Sequence, residues 1–270
     1  ISALNFGIKR LASLPLSLRF IREAHGVLLA EARTESHAMP GKFRDRQNWI
    51  GGTTARNARF VPPPVAEMHK ALSELEAYMH KRDETPLLVR TALLHAQFET
   101  IHPFIDGNGR TGRLLITFYL LKEQALSKPV LYLSEYFKRH RDAYFEHLHT
   151  YHNEGDTRGW LNFFLEGVSS VAREALMVSE KITDLRQKDM DSVSKLGRRA
   201  EKGVLLLKHL FKFPIVSVRN VEEETGLSRP AANALVDVFV QLGILKQTDE
   251  SVEYGREFAY TEYLKLFAER

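Results

Sequence analysis

The run His102-Pro103-Phe104-Ile105-Asp106-Gly107-Asn108-Gly109-Arg110-Thr111-Gly112-Arg113 constrains this chain more than any other stretch. An apolar segment, Leu114 to Leu121, follows without a break and predicts a helix. A glycine-rich turn therefore stands at a helix N-terminus, where unpaired backbone N–H groups and the helix dipole favour a phosphate. Arg110 and Arg113 are three residues apart and share one face of the first turn. His102 lies just upstream, and an imidazole can accept a proton at neutral pH. Asp106 is a hard oxygen ligand of the kind that suits a magnesium ion bridging phosphates. Gly107 and Gly109 let the backbone approach a phosphate closely, and Asn108 adds a side-chain donor. The two arginines bring planar, permanently charged forks for phosphate oxygens. No side chain here is an obvious covalent nucleophile. The residues read as a site for base-assisted attack by an external hydroxyl on a phosphate of a magnesium–nucleotide.

The remaining sequence frames that site. The chain has 270 residues, enough for one large domain or two smaller ones. It contains no cysteine, which excludes disulfides, thiolate metal sites and cysteine nucleophiles and fits a cytoplasmic protein. No apolar run approaches the ~18 residues that span a bilayer, so no membrane partner is expected. A net charge of +4 permits anionic ligands without demanding nucleic acid. Helical spacing predicts helices over Leu11–Leu29, with Pro15 near the start, and over Val65–His80 after three prolines. A further helix after Pro86, with Leu88, Thr91, Ala92, His95 and Phe98 on one stripe, leads into His102. Others are predicted over Arg110–Gln124, Glu135–Asn153 and Thr157–Leu176. Between Glu35 and Thr54 the periodicity is lost, and Gly51-Gly52 closes an extended or hairpin segment.

The character changes at Lys188–Lys202, which is polar and poor in large apolar residues and reads as a linker or a long exposed helix. Beyond it, a helix at Val204–Phe211 precedes two short helices, Ser217–Thr225 and Ser228–Leu242, joined at Gly226-Leu227. Two strands then follow, at Ile244–Gln247 and Glu257–Tyr260. These elements predict a small winged helix-turn-helix module.

The run from His102 to Arg113 resembles the signature of the Fic family, His-x-Phe-x-(Asp/Glu)-Gly-Asn-Gly-Arg-x-x-Arg, and matches it at every fixed position. Gly41-Lys42-Phe43-Arg44 and Gln47-Asn48-Trp49-Ile50-Gly51-Gly52 are similar to the family's flap region, and the resemblance covers nearly the whole chain. It implies a mainly α fold: a Fic helical core with a β-hairpin flap over residues 1–187 (flap at about 41–54), a connection at 188–202 and a winged helix at 203–270. It implies a protein adenylyltransferase that moves AMP from ATP to a Tyr, Thr or Ser hydroxyl of a protein target. His102 is then the general base and Asp106 the magnesium ligand. The nucleotide is held by Asp106, Gly107, Asn108, Gly109, Arg110, Thr111, Gly112 and Arg113, with Tyr144 lining its pocket. Asn48, Trp49, Ile50 and Gly51 of the flap would pair with the target backbone as an added strand. The partners expected are ATP and a protein substrate, with the chain itself and a second copy of it as further candidates.

The same resemblance brings an inhibitory helix, (Ser/Thr)-x-x-x-Glu-(Gly/Asn), whose glutamate pairs with the second arginine of the signature. A formal match at Thr150–Gly155 reads as an ordinary helix end, so that glutamate is expected upstream of Ile1 or on a partner. Two other functions stay open on the sequence. One is transfer of a different phosphate-containing group by the same scaffold. The other is a winged-helix transcriptional regulator whose core senses nucleotide. Against DNA, Lys195–Arg270 holds twelve basic and eleven acidic residues, little electrostatic grip on a duplex. His147, His149 and His152 invite a metal reading, but their spacing places them on different helix faces.

Overall fold

The computed structural model describes residues 2–30, 38–129, 132–249, 251–252 and 254–268. The chain is mainly α-helical and divides into two compact units, Ile1–Arg173 and Glu174–Arg270.

The first unit is built around a buried helix. α1 (Ser2–Leu11), α2 (Leu18–Ala30) and α3 (Val65–His80) pack on one side of α4 (Leu87–Ile101) and α5 (Asn108–Lys122). α6 (Leu133–Arg139), α7 (Arg141–Glu154) and the start of α8 (Thr157–Ser194) pack on the other. Nine of the fifteen residues of α4 are buried, so it carries apolar contacts all round rather than along the single stripe expected. Leu94, Phe98 and Ile101 face the first cluster, and Ala92 and Ala96 face the second. Trp160 of α8, fully buried, donates its indole N–H to the Ala92 carbonyl at 2.9 Å. α4, which leads into His102, is thereby held from both flanks.

Several boundaries differ from the sequence expectation. The helix expected over Leu11–Leu29 begins only at Leu18, as α2, and a separate helix not expected from the sequence, α1, ends at Leu11. The chain turns over residues 12–17, Pro15 lies in the turn, and Ser17 starts α2 by accepting the Phe20 N–H at 3.3 Å. α1 escaped the periodicity because Gly7 belongs to its buried face. A Cβ there would lie 2.2 Å from the Phe118 ring, so α1 approaches α5 through a residue that carries no hydrophobic signal. The helix expected over Glu135–Asn153 is broken at His140 into α6 and α7. α8 runs on to Ser194, well beyond the expected end at Leu176, and takes in the first part of the segment read as a linker or a long exposed helix. Of the aperiodic stretch 35–54, residues 35–37 lie outside the described residues, as does Ile1.

The flap is a β-hairpin. Ile50 and Phe60 form an antiparallel bridge, with the Ile50 N–H donating to Phe60 O at 2.9 Å and the Phe60 N–H donating back at 3.2 Å. Gly51 and Gly52 turn the chain at φ 69° and 71°, and the Asn57 side chain accepts N–H bonds from Thr53 and Thr54 across the tip. The expected flap of 41–54 therefore held only the outgoing arm; the return arm reaches Phe60.

The second unit has its own core. α9 (Ala200–Leu210), α10 (Val218–Thr225) and α11 (Arg229–Gln241) enclose Leu206, Leu210, Val221, Leu235 and Phe239. Ser217 caps α10 through a reciprocal bond pair with Asn220, and Gly226 ends it at φ 68°. The expected pair of strands is a three-stranded antiparallel sheet, ordered β1 (Ile215–Ser217), β3 (Glu257–Ala259), β2 (Lys246–Gln247). β1 was not foreseen because three residues are too few to show alternation. A last helix, α12 (Thr261–Ala268), closes the described chain. Among the described residues, no helix is long and apolar enough to cross a membrane.

Candidate active site

His102 ends α4 in the left-handed region, at φ 48° and ψ 58°, with its N–H on the Phe98 carbonyl. Such a conformation is uncommon for any residue but glycine and persists where surroundings over-determine it. Here they do so from the base of the flap. Arg44 is 1 % exposed and donates to the carbonyls of His102 (3.1 Å), Pro63 (2.5 Å), Arg46 (3.2 Å) and Ile101 (3.5 Å). The Arg44 N–H also bonds Pro103 O at 2.8 Å. Its buried charge faces the C-terminal carbonyls of α4, the end of a helix that favours a cation. Asn48 adds a bond from Nδ2 to Phe104 O at 2.9 Å. Asn48, expected to position the target, is thus turned toward the signature loop.

The loop from Pro103 to Gly107 is fixed from within. Asn108 is buried, and its amide accepts the Phe104 N–H at 2.8 Å and donates to the Phe104 carbonyl at 2.7 Å. The Phe104 ring stacks on His25 with centroids 3.6 Å apart. His25 Nδ1 accepts the Gly41 N–H at 2.9 Å, so its proton is on Nε2, which donates to the Asp106 carbonyl at 2.9 Å. Burial holds the His25 pKa below the usual imidazole value, which keeps this neutral bridge at pH 7. Asp106 accepts the Gly107 N–H on one carboxylate oxygen and Arg110 Nη2, at 3.1 Å, on the other. Gly107 adopts φ 82° in a tight space, where a Cβ would lie 3.1 Å from Leu29 and 3.3 Å from His25.

α5 begins at Asn108, and the Thr111 N–H already bonds Gly107 O at 2.9 Å. The N–H groups of Asn108, Gly109 and Arg110 accordingly have no partner within the helix. The Arg113 side chain lies along this terminus, with Nη1 3.2 Å from where a Gly109 Cβ would stand. Thr111 and Gly112 sit on the buried side of α5, away from the opening. At Gly112 a Cβ would meet Glu99 Oε1 at 2.4 Å and Phe98 at 3.1 Å, backed by the α4 helix. Gly112→Ala should therefore destabilise the fold by about 1–3 kcal/mol through overpacking, read from the midpoint of urea unfolding.

A cavity of about 210 Å³ opens where these elements meet. Glu99 and His102 come from the end of α4, and Gly109 and Arg113 from the first turns of α5. Ile50, Arg59 and Phe60 come from the two arms of the flap. α7 supplies the remaining wall with Tyr144, Phe145, Leu148, His149 and His152. Tyr144 is buried and its hydroxyl pairs with His95 Nε2 at 3.0 Å. His152 Nδ1 bonds the Thr100 hydroxyl at 2.6 Å, and its ring stacks on Phe60 at 4.5 Å, tying α7 to α4 and to the flap. Trp49 is exposed on one side of the bridge residue Ile50, and Gly51, also exposed, follows it opposite Arg59. Glu154, the acid of the formal inhibitory match, is exposed at the end of α7 and does not line the cavity.

Burial pushes the Glu99 carboxyl up to about 7, with Arg113 drawing it back down. Burial pushes the His102 imidazole down to about 4 and His95 down to about 3. His102 is therefore neutral at pH 7 and able to accept a proton. The sequence named Arg44 only within the flap segment 41–44 and did not single out His25, Arg59, Phe60, His149 or His152 for this site; their place in the fold reveals them. Among the described residues, no group of three or more His, Cys, Asp or Glu side chains could hold a metal ion by itself. Asp106 alone fits a magnesium ion that takes its other ligands from phosphates and water, a common arrangement for that metal.

The chain resembles known proteins in sequence and in fold. Residues 15–120 match the Fic/DOC family. The chain is 30% identical over 156 residues to a protein adenylyltransferase Fic of Aedes aegypti, covering 56% of this chain and 27% of that protein. It is 32% identical over 145 residues to the one of Drosophila yakuba, covering 52% and 26%. The chain thus spans about a quarter of the length of these curated relatives. Among solved structures, a Fic family protein from Desulfovibrio desulfuricans shares the fold with a TM-score of 0.55 at 20% identity, over 96% of this chain and 72% of that one. Fic-1 of C. elegans (residues 134–508) does so with a TM-score of 0.51 at 24% identity, over 67% of this chain and 50% of that one.

Proposed function

We propose that this chain, whose residues 15–120 match the Fic/DOC family, is a protein adenylyltransferase that moves AMP from ATP to a protein hydroxyl. The observation that carries this reading is one cavity shared by the His102 imidazole, the start of α5 with its unpaired N–H groups, Arg113 and the flap. A triphosphate anion laid on that helix terminus meets backbone donors and a guanidinium. The hydroxyl of a target Tyr, Thr or Ser attacks the α-phosphorus, and its proton passes to His102. The bond from that phosphorus to the bridging oxygen breaks, and pyrophosphate leaves. Arg110 and Arg113 offset the charge of the β- and γ-phosphates. Asp106 would hold a magnesium ion, which would supply further neutralisation of phosphate charge. The bridge between Ile50 and Phe60 holds the flap over the cavity, where the exposed segment around Trp49 can pair with a target strand.

The second unit, with its α10–α11 pair and three-stranded sheet, reads as a winged helix-turn-helix. Its near balance of acid and base favours protein docking over DNA.

The test uses ATP labelled on either the α- or the γ-phosphate, with magnesium and cell extract, and intact-mass measurement of the chain itself. Label from the α-phosphate on protein, and none from the γ-phosphate, is the expected result. Label from the γ-phosphate alone would replace AMP transfer with phosphoryl transfer, and no label from either would end the proposal. A mass gain of one AMP on the chain would identify self-modification.

A further inference from the structure

Glu99 has no part in the chemistry above, yet it is an acid buried in the wall of the cavity at 5 % exposure. Its Oε2 lies 3.9 Å from His102 Nδ1, three residues along α4. Buried polar atoms here without a hydrogen-bond partner include His102 Nδ1, Glu99 Oε1 and, one turn back on α4, His95 Nδ1. The imidazole thus has a buried Nδ1 edge beside a carboxyl, and its remaining edge borders the cavity. α5 makes room for that carboxyl, since any side chain at Gly112 would collide with Glu99 Oε1.

We propose that Glu99 is a positioning residue for His102, its carboxylate taking the Nδ1–H of the imidazole and so holding Nε2 toward the incoming hydroxyl. The proposal rests on His102 acting as the base in AMP transfer. A separation of 3.9 Å is too long for a hydrogen bond, but side-chain rotation closes such a gap, and catalytic contacts commonly tighten when substrate binds. The need for a partner is clear from the surroundings of His102. Burial disfavours the imidazolium that proton abstraction creates, the Glu99 backbone carbonyl offsets part of that, and Arg44 and His152 add to it. Of the groups facing His102, Glu99 is the one that can carry negative charge against Nδ1. Its own neighbours are His95 on α4, Arg113 on α5 and Tyr144 on α7. When the hydroxyl proton moves to Nε2, the ring becomes cationic and its Nδ1–H lies against the Glu99 carboxylate. No proton need leave Glu99 in that step.

The sign of the pH effect follows from burial. The Glu99 carboxyl is pushed up to about 7, so it is largely neutral below that pH and ionised above it. Turnover should rise as pH passes through neutrality. Glu99→Gln keeps the shape and cannot ionise. It should lower kcat at pH 8 by about 10- to 100-fold, leave KM for ATP within about twofold, and abolish the rise across neutrality. A Glu99→Gln enzyme that keeps the wild-type kcat and pH profile would overturn the proposal.

Nitrogen NMR of wild-type His102 gives a second readout that needs neither the variant nor activity. The ring should hold its proton on Nδ1, and its signals should shift near pH 7 as Glu99 ionises. A ring protonated on Nε2, or signals flat through that range, would also overturn it. Failure of the wild-type chain to transfer AMP would instead strike the functional reading, and the NMR result would still decide whether Glu99 and His102 are coupled.

Discussion

Replacing His102 with alanine should lower AMP transfer by about 10²- to 10⁴-fold, the range typical of a lost general base, with the fold retained. The side chain supports little else. Its Nδ1 has no hydrogen-bond partner, and the bonds that fix this turn run through the backbone, from the His102 N–H to Phe98 and from Arg44 to the His102 carbonyl. The φ of 48° is the one complication, because alanine tolerates the left-handed region poorly. Asparagine tolerates it well and offers no comparable base, so His102→Asn should unfold at a urea concentration close to wild type and be as inactive as the alanine variant. Label transfer from α-labelled ATP, measured as kcat/KM for all three proteins, checks this. Activity in either variant within tenfold of wild type would remove His102 from the role of base.

What the sequence disclosed about this site follows a physical division. The stretch from His102 to Arg113 stood out in the sequence through its glycines, amide and two arginines at a helix start, but that Asn108, Gly107 and Gly112 also serve the packing of the loop and of α5 showed only in the fold. The bounds of α3 were legible because Pro64 ends the extended segment before it. Features decided by tertiary approach were not. Gly7 belongs to a helix face only because Phe118 stands opposite, and the His140 break follows a register of apolar residues that suits one continuous helix as well as two. The far wall of the cavity comes from residues 59–60 and 144–152, and nothing local in those segments signals a shared ligand. His149 and His152 illustrate this. Their spacing, which places them on different helix faces, gave no hint that both would border the cavity.

Arg44 lies furthest from what a sequence can disclose, and its removal should have the largest effect on stability. Nothing adjacent in the chain marks it for burial, and arginine is rarely buried without a carboxylate partner. Its guanidinium instead joins four carbonyls, two of them from the end of α4 and two from the segment on either side of the flap. Truncation to alanine leaves those acceptors short of donors in a space closed to solvent and also opens a cavity. By the usual cost of orphaned buried polar groups, Arg44→Ala should lose about 3–5 kcal/mol, measured by urea unfolding. Lysine has a single compact ammonium that cannot span four acceptors held by a planar fork, so Arg44→Lys should recover only part of the loss. The same bonds join the flap base to the turn at His102. Arg44→Lys, assayed where it remains folded, should therefore lose turnover as well as stability, since the His102 carbonyl is no longer anchored. An Arg44→Ala protein within 1 kcal/mol of wild type, roughly the net value of one hydrogen bond, would show that flap base and turn hold their places without this residue.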